Sequence, residues 1–251
     1  MVLHRHILIL LLLLLSHNLY GAGKVVRQSQ PAQVVRGTEK LLTEVNTSVK
    51  MFDAIATLNG TINIVFEDDT KVSLSKYSKL VVDEYVYDSN KNVGKVSLKG
   101  RLGTLRYTSG KIAKNNRKNV KITSPTASVS VRGTDFTMTV EATGKTTFQL
   151  LPSIDANGNS YTGSIAVSNS SGVVVLNQAF EVTRVENNLK PPSTPKKEAR
   201  QAPQEEKPKV KEDQREKNTN NNETGSKKKD ESKATAKAPI EVIEFFRTNP
   251  Y

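Results

Sequence analysis

The sequence predicts an all-β protein: a single domain of short, antiparallel-type strands, built as a β-sandwich or a short β-solenoid and followed by a disordered charged tail. Three observations carry this prediction. Between residues 23 and 188 short alternations of apolar and polar residues recur one after another. Polar turn residues punctuate them, and no window of the region sustains a helical period.

The elements follow in order. Ile62, Ile64 and Phe66 alternate with Thr61, Asn63 and Val65; the turn Glu67-Asp68-Asp69-Thr70 follows, and Val72 and Leu74 resume the alternation. This is a hairpin with its apolar face on every second residue of both arms. Leu80, Val82 and Val86 form the next set, then Val96 with Leu98, and beyond Gly100, Leu102 with Leu105 and Tyr107. Later sets pair Phe148 with Leu150, Ile165 with Val167, Val173 with Val175, and Phe180 with Val182. Asp88-Ser89-Asn90, Thr108-Ser109-Gly110, Asn157-Gly158-Asn159 and Asn169 to Gly172 separate them as turns. A domain of this length buries a core without disulfides or metal.

The flanks read differently. Residues 1–22 have the order of a secretory signal: His4, Arg5 and His6, the apolar run Ile7 to Leu15, then small residues, with cleavage expected after Gly21 or Ala22. The apolar run is about half of the roughly 20 residues that a bilayer-spanning helix needs. Residues 189–238 form a Lys/Glu/Pro-rich stretch with almost no large apolar side chain, which cannot offset the entropy of ordering and reads as disordered. Residues 239–251, PIEVIEFFRTNPY, recover an apolar character. Ile240, Val242, Ile243, Phe245, Phe246 and Tyr251 are therefore candidate partner-binding residues at the end of a tether, or a segment that folds back on the domain's own core. The expected location is exported, periplasmic or extracellular.

Composition excludes several chemistries. The three histidines are His4, His6 and His17, and the chain contains no cysteine. If the signal is removed, neither imidazole nor thiol is left for Ser-His-Asp or Cys-His catalysis, for the usual zinc and transition-metal sites, or for a disulfide. Glu67, Asp68 and Asp69 are the best carboxylate cluster, and they read as an exposed hairpin turn rather than an acid–base pair or a calcium loop. Ser73, Ser75 and Ser78 among Lys71, Lys76 and Lys79 decorate a wet sheet face, and no phosphate-binding glycine pattern occurs. No catalytic residue, cofactor or metal is expected, and the protein is read as a non-enzyme. The net charge is +12, from 37 Lys and Arg against 25 Asp and Glu. Much of the excess lies in the mixed-charge tail, where it solvates the chain; Lys114, Arg117, Lys118 and Lys121 form a local basic patch without aromatic residues to stack on bases.

The most informative stretch is SPTASVSVRGTDFTMTV, Ser124 to Val140. Ala127, Val129 and Val131 share one parity, and Phe136, Met138 and Val140 share the other. The flip falls on Arg132-Gly133-Thr134, and it requires a bulge or a corner at which the chain leaves one sheet for another. Asp135 lies close enough in sequence to pair with Arg132, and a functional reading of Arg132 as an anion-binding fork stays open. A second Arg-Gly-Thr at Arg36 to Thr38 has unrelated flanks and reads as coincidence.

VKITSPTASVSVRGTDFTMTV, Val120 to Val140, closely resembles the most recognisable segment of the FecR-like domain. ATLNGTINIVFEDDTKVSLSKYSKLVV resembles that family's earlier hairpin, and SLKGRLGTLRYTSGK its intervening strand-Gly-strand unit; the similarity extends weakly into the strands after Phe148. The sequence departs from the pattern at Asp69, where the family usually has Gly. It also departs in its signal-like start, since members that regulate transcription carry a cytoplasmic segment and a membrane helix before this domain. The resemblance thus implies an exported β module of the cell envelope without the anti-sigma segment: a binding, scaffold or sensor unit whose partner is an envelope protein or a surface glycan. Electrostatic binding of nucleic acid or another polyanion, through residues 114–121 and the basic tail, ranks behind it.

Overall fold

In the computed structural model, residues 21–155 and 157–199 are described. The signal-like segment up to residue 20, the tail from residue 200 and the C-terminal peptide lie outside the described residues.

The strands are β1 (Gly23–Gln28), β2 (Gln33–Arg36), β3 (Glu39–Leu42), β4 (Ser48–Val49), β5 (Ala54–Ala56), β6 (Ile62–Phe66), β7 (Lys71–Leu74), β8 (Lys79–Asp88) and β9 (Val93–Thr108). A short helix, α1 (Lys111–Asn115), and a 3-10 turn (Arg117–Asn119) follow. Then come β10 (Val120–Thr123), β11 (Ser128–Arg132), β12 (Asp135–Val140), β13 (Thr146–Leu151), β14 (Ser153–Ile154), β15 (Ser160–Tyr161), β16 (Ser164–Asn169), β17 (Gly172–Leu176), β18 (Glu181–Val185) and β19 (Lys196–Lys197). Apart from the separate β14–β15 hairpin, these strands form one large mixed sheet.

Its pairings resolve into two ladders. The first runs β4, β1, β6, β7, β9, β12, β13, β18, β19. The second runs β3, β2, β5, β8, β9, β10, β11, β16, β17. Only β9 belongs to both. Its first half pairs with β8 and, in the single parallel pairing among the described residues, with β10; its second half pairs with β7 and β12. The inward residues of both ladders join one continuous cluster, from Ile64, Phe66 and Phe148 in the first to Leu80, Leu98 and Val129 in the second. The arrangement is that of a sandwich: two sheets share a core, and one long strand passes from each to the other.

That passage dictates local chemistry. Between Leu102 and Thr104 strand β9 turns from one ladder to the other, and Gly103 sits there at φ +75°. A Cβ on Gly103 would lie 2.5 Å from the Tyr77 carbonyl oxygen and 2.6 Å from the Ser78 Cα, so the position admits glycine on both backbone and steric grounds. The predicted hairpin is β6–β7, with Ile62 opposite Leu74 and Ile64 opposite Val72. Its turn contains Asp69 at φ +66°, the left-handed region that an L-residue with a Cβ occupies at a cost.

Both ends of the domain extend past the composition boundaries. Ala22 is buried, its N–H donates to the Val49 carbonyl at 2.7 Å, and its own carbonyl accepts from Glu67. Residues 189–199, read from composition as the start of the disordered stretch, are bound to the sandwich: β19 pairs with β18, and Arg184 grips Glu198 through two bonds of 2.7 Å. Backbone pairing and a fork-shaped ion pair hold this segment although it carries few large apolar groups.

Two outcomes follow for stability. Asp69→Gly relieves the left-handed strain and raises unfolding free energy by about 1 kcal/mol or less in urea titrations, even though the exposed Asp69–Lys111 contact at 2.9 Å is lost. Arg184 holds the Glu198 carboxyl below the usual glutamate range, so Glu198 favours the docked segment at neutral pH and that contribution disappears as pH falls through its lowered pKa. The protection factors of the Ser193 and Glu198 amides, whose N–H groups bond to the Arg184 and Phe180 carbonyls, are therefore expected to fall as pH drops through the lowered Glu198 pKa, before those of the core amides respond.

Candidate functional site

Arg132, Gly133 and Thr134 stand where the chain changes ladder. Arg132 is the last residue of β11, opposite Ser164, and Asp135 is the first of β12, opposite Thr108 and Leu151. Val129 and Val131 enter the core from one ladder, and Phe136, Met138 and Val140 enter it from the other. The parity flip is thus the signature of a corner: two residues cross between sheets, and the alternation restarts. Gly133 takes φ +53° there, and a Cβ on it would meet nothing within 4 Å, so its requirement is conformational. Gly163 has the opposite reason. It closes on the corner, and its Cβ would lie 2.2 Å from the Gly133 carbonyl oxygen. Ser109 and Thr134 lock the corner to the end of β9, each backbone N–H reaching the other residue, at 3.0 Å in both directions.

The Asp135 carboxylate is not paired with Arg132. Arg106, the cross-strand neighbour region of β9, takes it through Nε at 2.9 Å and Nη2 at 2.6 Å, and Asp135 is nearly buried. The hydrogen bond to Asp135 raises the Arg106 pKa above its ordinary value against the opposing effect of burial. Proximity in sequence misleads here because residues three apart across a corner diverge, whereas Arg106 lies on the strand that β12 pairs with. The other Arg-Gly-Thr is a hairpin turn between β2 and β3, and Arg36 likewise forks onto a buried carboxylate, Asp53, at 2.8 and 2.7 Å.

Released from Asp135, Arg132 is exposed and borders a cleft of about 560 Å³. Lys114 of α1 and Arg117 and Lys118 of the 3-10 turn line the same cleft, with Asn115, Asn116 and Gly133. Lys121, the fourth residue of the predicted basic patch, stands on β10 outside the lining, where its charge helps lower the Asp83 pKa after the larger effects of Lys99 and Ser97.

The family model described as FecR protein matches residues 53–151. Over those residues the chain is similar to a FecR domain. That family consists of signalling proteins that are generally non-enzymatic. No curated protein matches the chain. The match runs from Asp53, the buried acceptor of Arg36, to Leu151 at the end of β13, so the FecR segment supplies the middle of both ladders. The preceding residues add β4 and β1 to one side of the first ladder and β3 and β2 to the second, and the following residues add β18, β19, β16 and β17 on the opposite sides.

Within the segment that matches the FecR model, the acidic turn differs from the exposed hairpin turn that the sequence suggests. Glu67 and Asp69 are exposed, but Asp68 is fully buried. Its carboxylate accepts from the Thr70 hydroxyl at 2.8 Å, the Thr70 N–H at 3.2 Å, the Ile112 N–H at 3.2 Å and the Tyr85 hydroxyl at 3.3 Å. Its backbone carbonyl accepts from Lys111 at 2.7 Å. Asp68 therefore satisfies the first N–H groups of α1 from a segment remote in sequence, where Gly110 offers no side-chain cap. Burial raises the Tyr85 phenol pKa, and the charge of Asp68 adds to that effect. Phe66 packs beside Tyr85 with ring centroids 5.3 Å apart, which joins the two sheets above this node. Three hydroxyl and amide donors from distant segments were invisible in a four-residue turn; no signal in the sequence pointed to them.

Two substitutions separate these roles. Gly133→Ala costs about 1 kcal/mol, the backbone penalty alone, whereas Gly163→Ala costs about 1–3 kcal/mol because the corner itself must move. Asp68→Asn lowers stability by about 1–3 kcal/mol and exposes the amides of Lys111 and Ile112 to exchange, as read by denaturation and amide-exchange measurements.

Proposed function

We propose that this protein is an exported, non-enzymatic recognition module of the cell envelope, acting as a sensor or scaffold that engages an envelope protein or a surface glycan. The observation that carries this reading is the FecR domain over residues 53–151, which belongs to a family of generally non-enzymatic signalling proteins. The sequence supports the location: the cationic start, the short apolar run and the small residues before β1 have the order of a cleavable signal. Cleavage after Gly21 leaves the buried Ala22 within the domain, so it is the position favoured here over cleavage after Ala22. The apolar peptide with Ile240, Val242, Ile243, Phe245, Phe246 and Tyr251 is a second contact element, tethered by a polar stretch that extends its reach.

Fractionation of cells that carry the tagged full chain, followed by crosslinking, tests this function. The expected result is recovery from the periplasmic or extracellular fraction, a mature N-terminus at Ala22, and a crosslinked envelope component. Removal of residues 239–251 is expected to weaken the crosslink. Recovery from the cytosol with an intact N-terminus overturns the reading.

A further inference from the structure

Resting on the recognition-module reading, we propose that the cleft between α1, the 3-10 turn and the Arg132–Gly133 corner binds an acidic polysaccharide. Its carboxylate or phosphate groups meet Lys114, Arg117, Lys118 and Arg132, and its hydroxyls meet Asn115 and Asn116.

The first reason is an imbalance of charge. Four cationic side chains converge on one concavity, no acidic residue lines it, and among the described residues none of the four is in an ion pair. A second hollow, about 360 Å³ against β18, has an acid in its lining, Glu186, and pairs two of its three cations, Arg184 with Glu198 at 2.7 Å and Lys190 with Glu186 at 3.4 Å. Unmatched like charges repel one another, and the repulsion is relieved when an anion enters between them. The acids of the neighbourhood are already engaged, Asp135 by Arg106 and Asp68 by Tyr85, Thr70 and α1.

The second reason is rigidity. Arg132 ends a strand paired along its whole length with β16, at a corner closed by Gly163. Across the cleft, the α1 backbone is tied to buried Asp68, and Ile112 and Ala113 anchor it in the core. The backbones that present Lys114 and Arg132 are held by these contacts before binding, which limits the entropic cost of recognition.

The third reason is the kind of lining. No aromatic side chain borders the cleft, so it lacks the stacking platforms of a single-stranded nucleic-acid groove. Its one apolar side chain is the small, buried Ala113, not a large anchor of the kind around which protein interfaces concentrate their affinity. What it offers besides charge is a pair of amides. Asn115 Nδ2 donates to the Asn92 carbonyl, which leaves its Oδ1 as an acceptor; Asn116 Oδ1 accepts from the Lys118 N–H at 3.1 Å, which leaves its Nδ2 as a donor. A hydroxyl-rich chain that carries regularly placed oxyanions complements both kinds of group.

The test uses the full chain and its Arg117→Gln/Arg132→Gln variant, titrated at roughly physiological ionic strength. The probes are polygalacturonate, phosphorylated dextran, neutral dextran, oligo-thymidylate and polyglutamate. Both arginines are exposed and carry no ion pair, so the variant is expected to keep the wild-type melting temperature. The expected result is binding to at least one acidic polysaccharide, none to dextran, and a loss of about tenfold in affinity for the variant. The tighter of the carboxylate and phosphate arms identifies the source of the oxyanion. Three results overturn the site: neither acidic polysaccharide binds, the variant binds as well as wild type because the basic tail carries the interaction, or oligo-thymidylate or polyglutamate binds more tightly. An exported chain that crosslinks to its partner equally well with the variant also removes the site while leaving the recognition-module reading in place. Cleft-dependent binding by a chain that stays in the cytosol does the reverse.

Discussion

The structure depends on one geometric constraint: side chains alternate strictly along a strand, so a chain that serves two facing sheets must reset its alternation whenever it crosses between them. Strand β9 meets this requirement at Gly103 and the β11–β12 crossing meets it at Gly133, both with positive φ. Without these crossings the two ladders would have no shared strand and the valines of β11 and the aromatic and aliphatic residues of β12 would not point into the same core. The FecR segment contains both crossings.

Carboxylates do the joining around that frame. Asp53, Asp68 and Asp135 are buried, and each is held by donors from a segment at least 15 residues away, Arg36, Tyr85 or Arg106. A buried carboxylate that keeps two or more hydrogen bonds is costly to disturb, so these residues tie strands to a single register more than they add net stability. The same engagement has an electrostatic consequence at the surface. Acids that might have neutralised the cations of α1, the 3-10 turn and Arg132 are occupied elsewhere, and the cleft stays positive.

The flanking strands show how the domain ends. The preceding and following residues lengthen both ladders on opposite sides of the FecR segment, and the last of them, β19, is held by pairing with β18 and by Arg184 and Glu198. Two of the outer strands, β3 and β19, carry charges that discourage further pairing. Composition alone placed the end of the domain too early, because a short polar strand contributes backbone bonds and an ion pair, neither of which a count of apolar residues records.

Much of this protein was legible in its sequence because the signals were local. The period of two set the inward faces of most strands but not of two: past the β8 bulge Tyr85 rather than Val86 is buried, and on β17 Val173 and Val175 face out while Leu176 faces in. Ile62 to Leu74 determined a hairpin register, and the reversal of parity between Val131 and Phe136 announced a break in the strand at Gly133. The FecR resemblance rested on the same residues. The tertiary structure decided what local order cannot: that the break is a corner between sheets, that Asp135 belongs to Arg106 rather than to Arg132, that Asp68 is buried under α1, and that Arg132 meets Lys114, Arg117 and Lys118 across one cleft. The physical reason is common to all four. Alternation is a property of one strand and its immediate neighbours in sequence, whereas a carboxylate's partner and a cation's surroundings are set by which distant strands the core brings together.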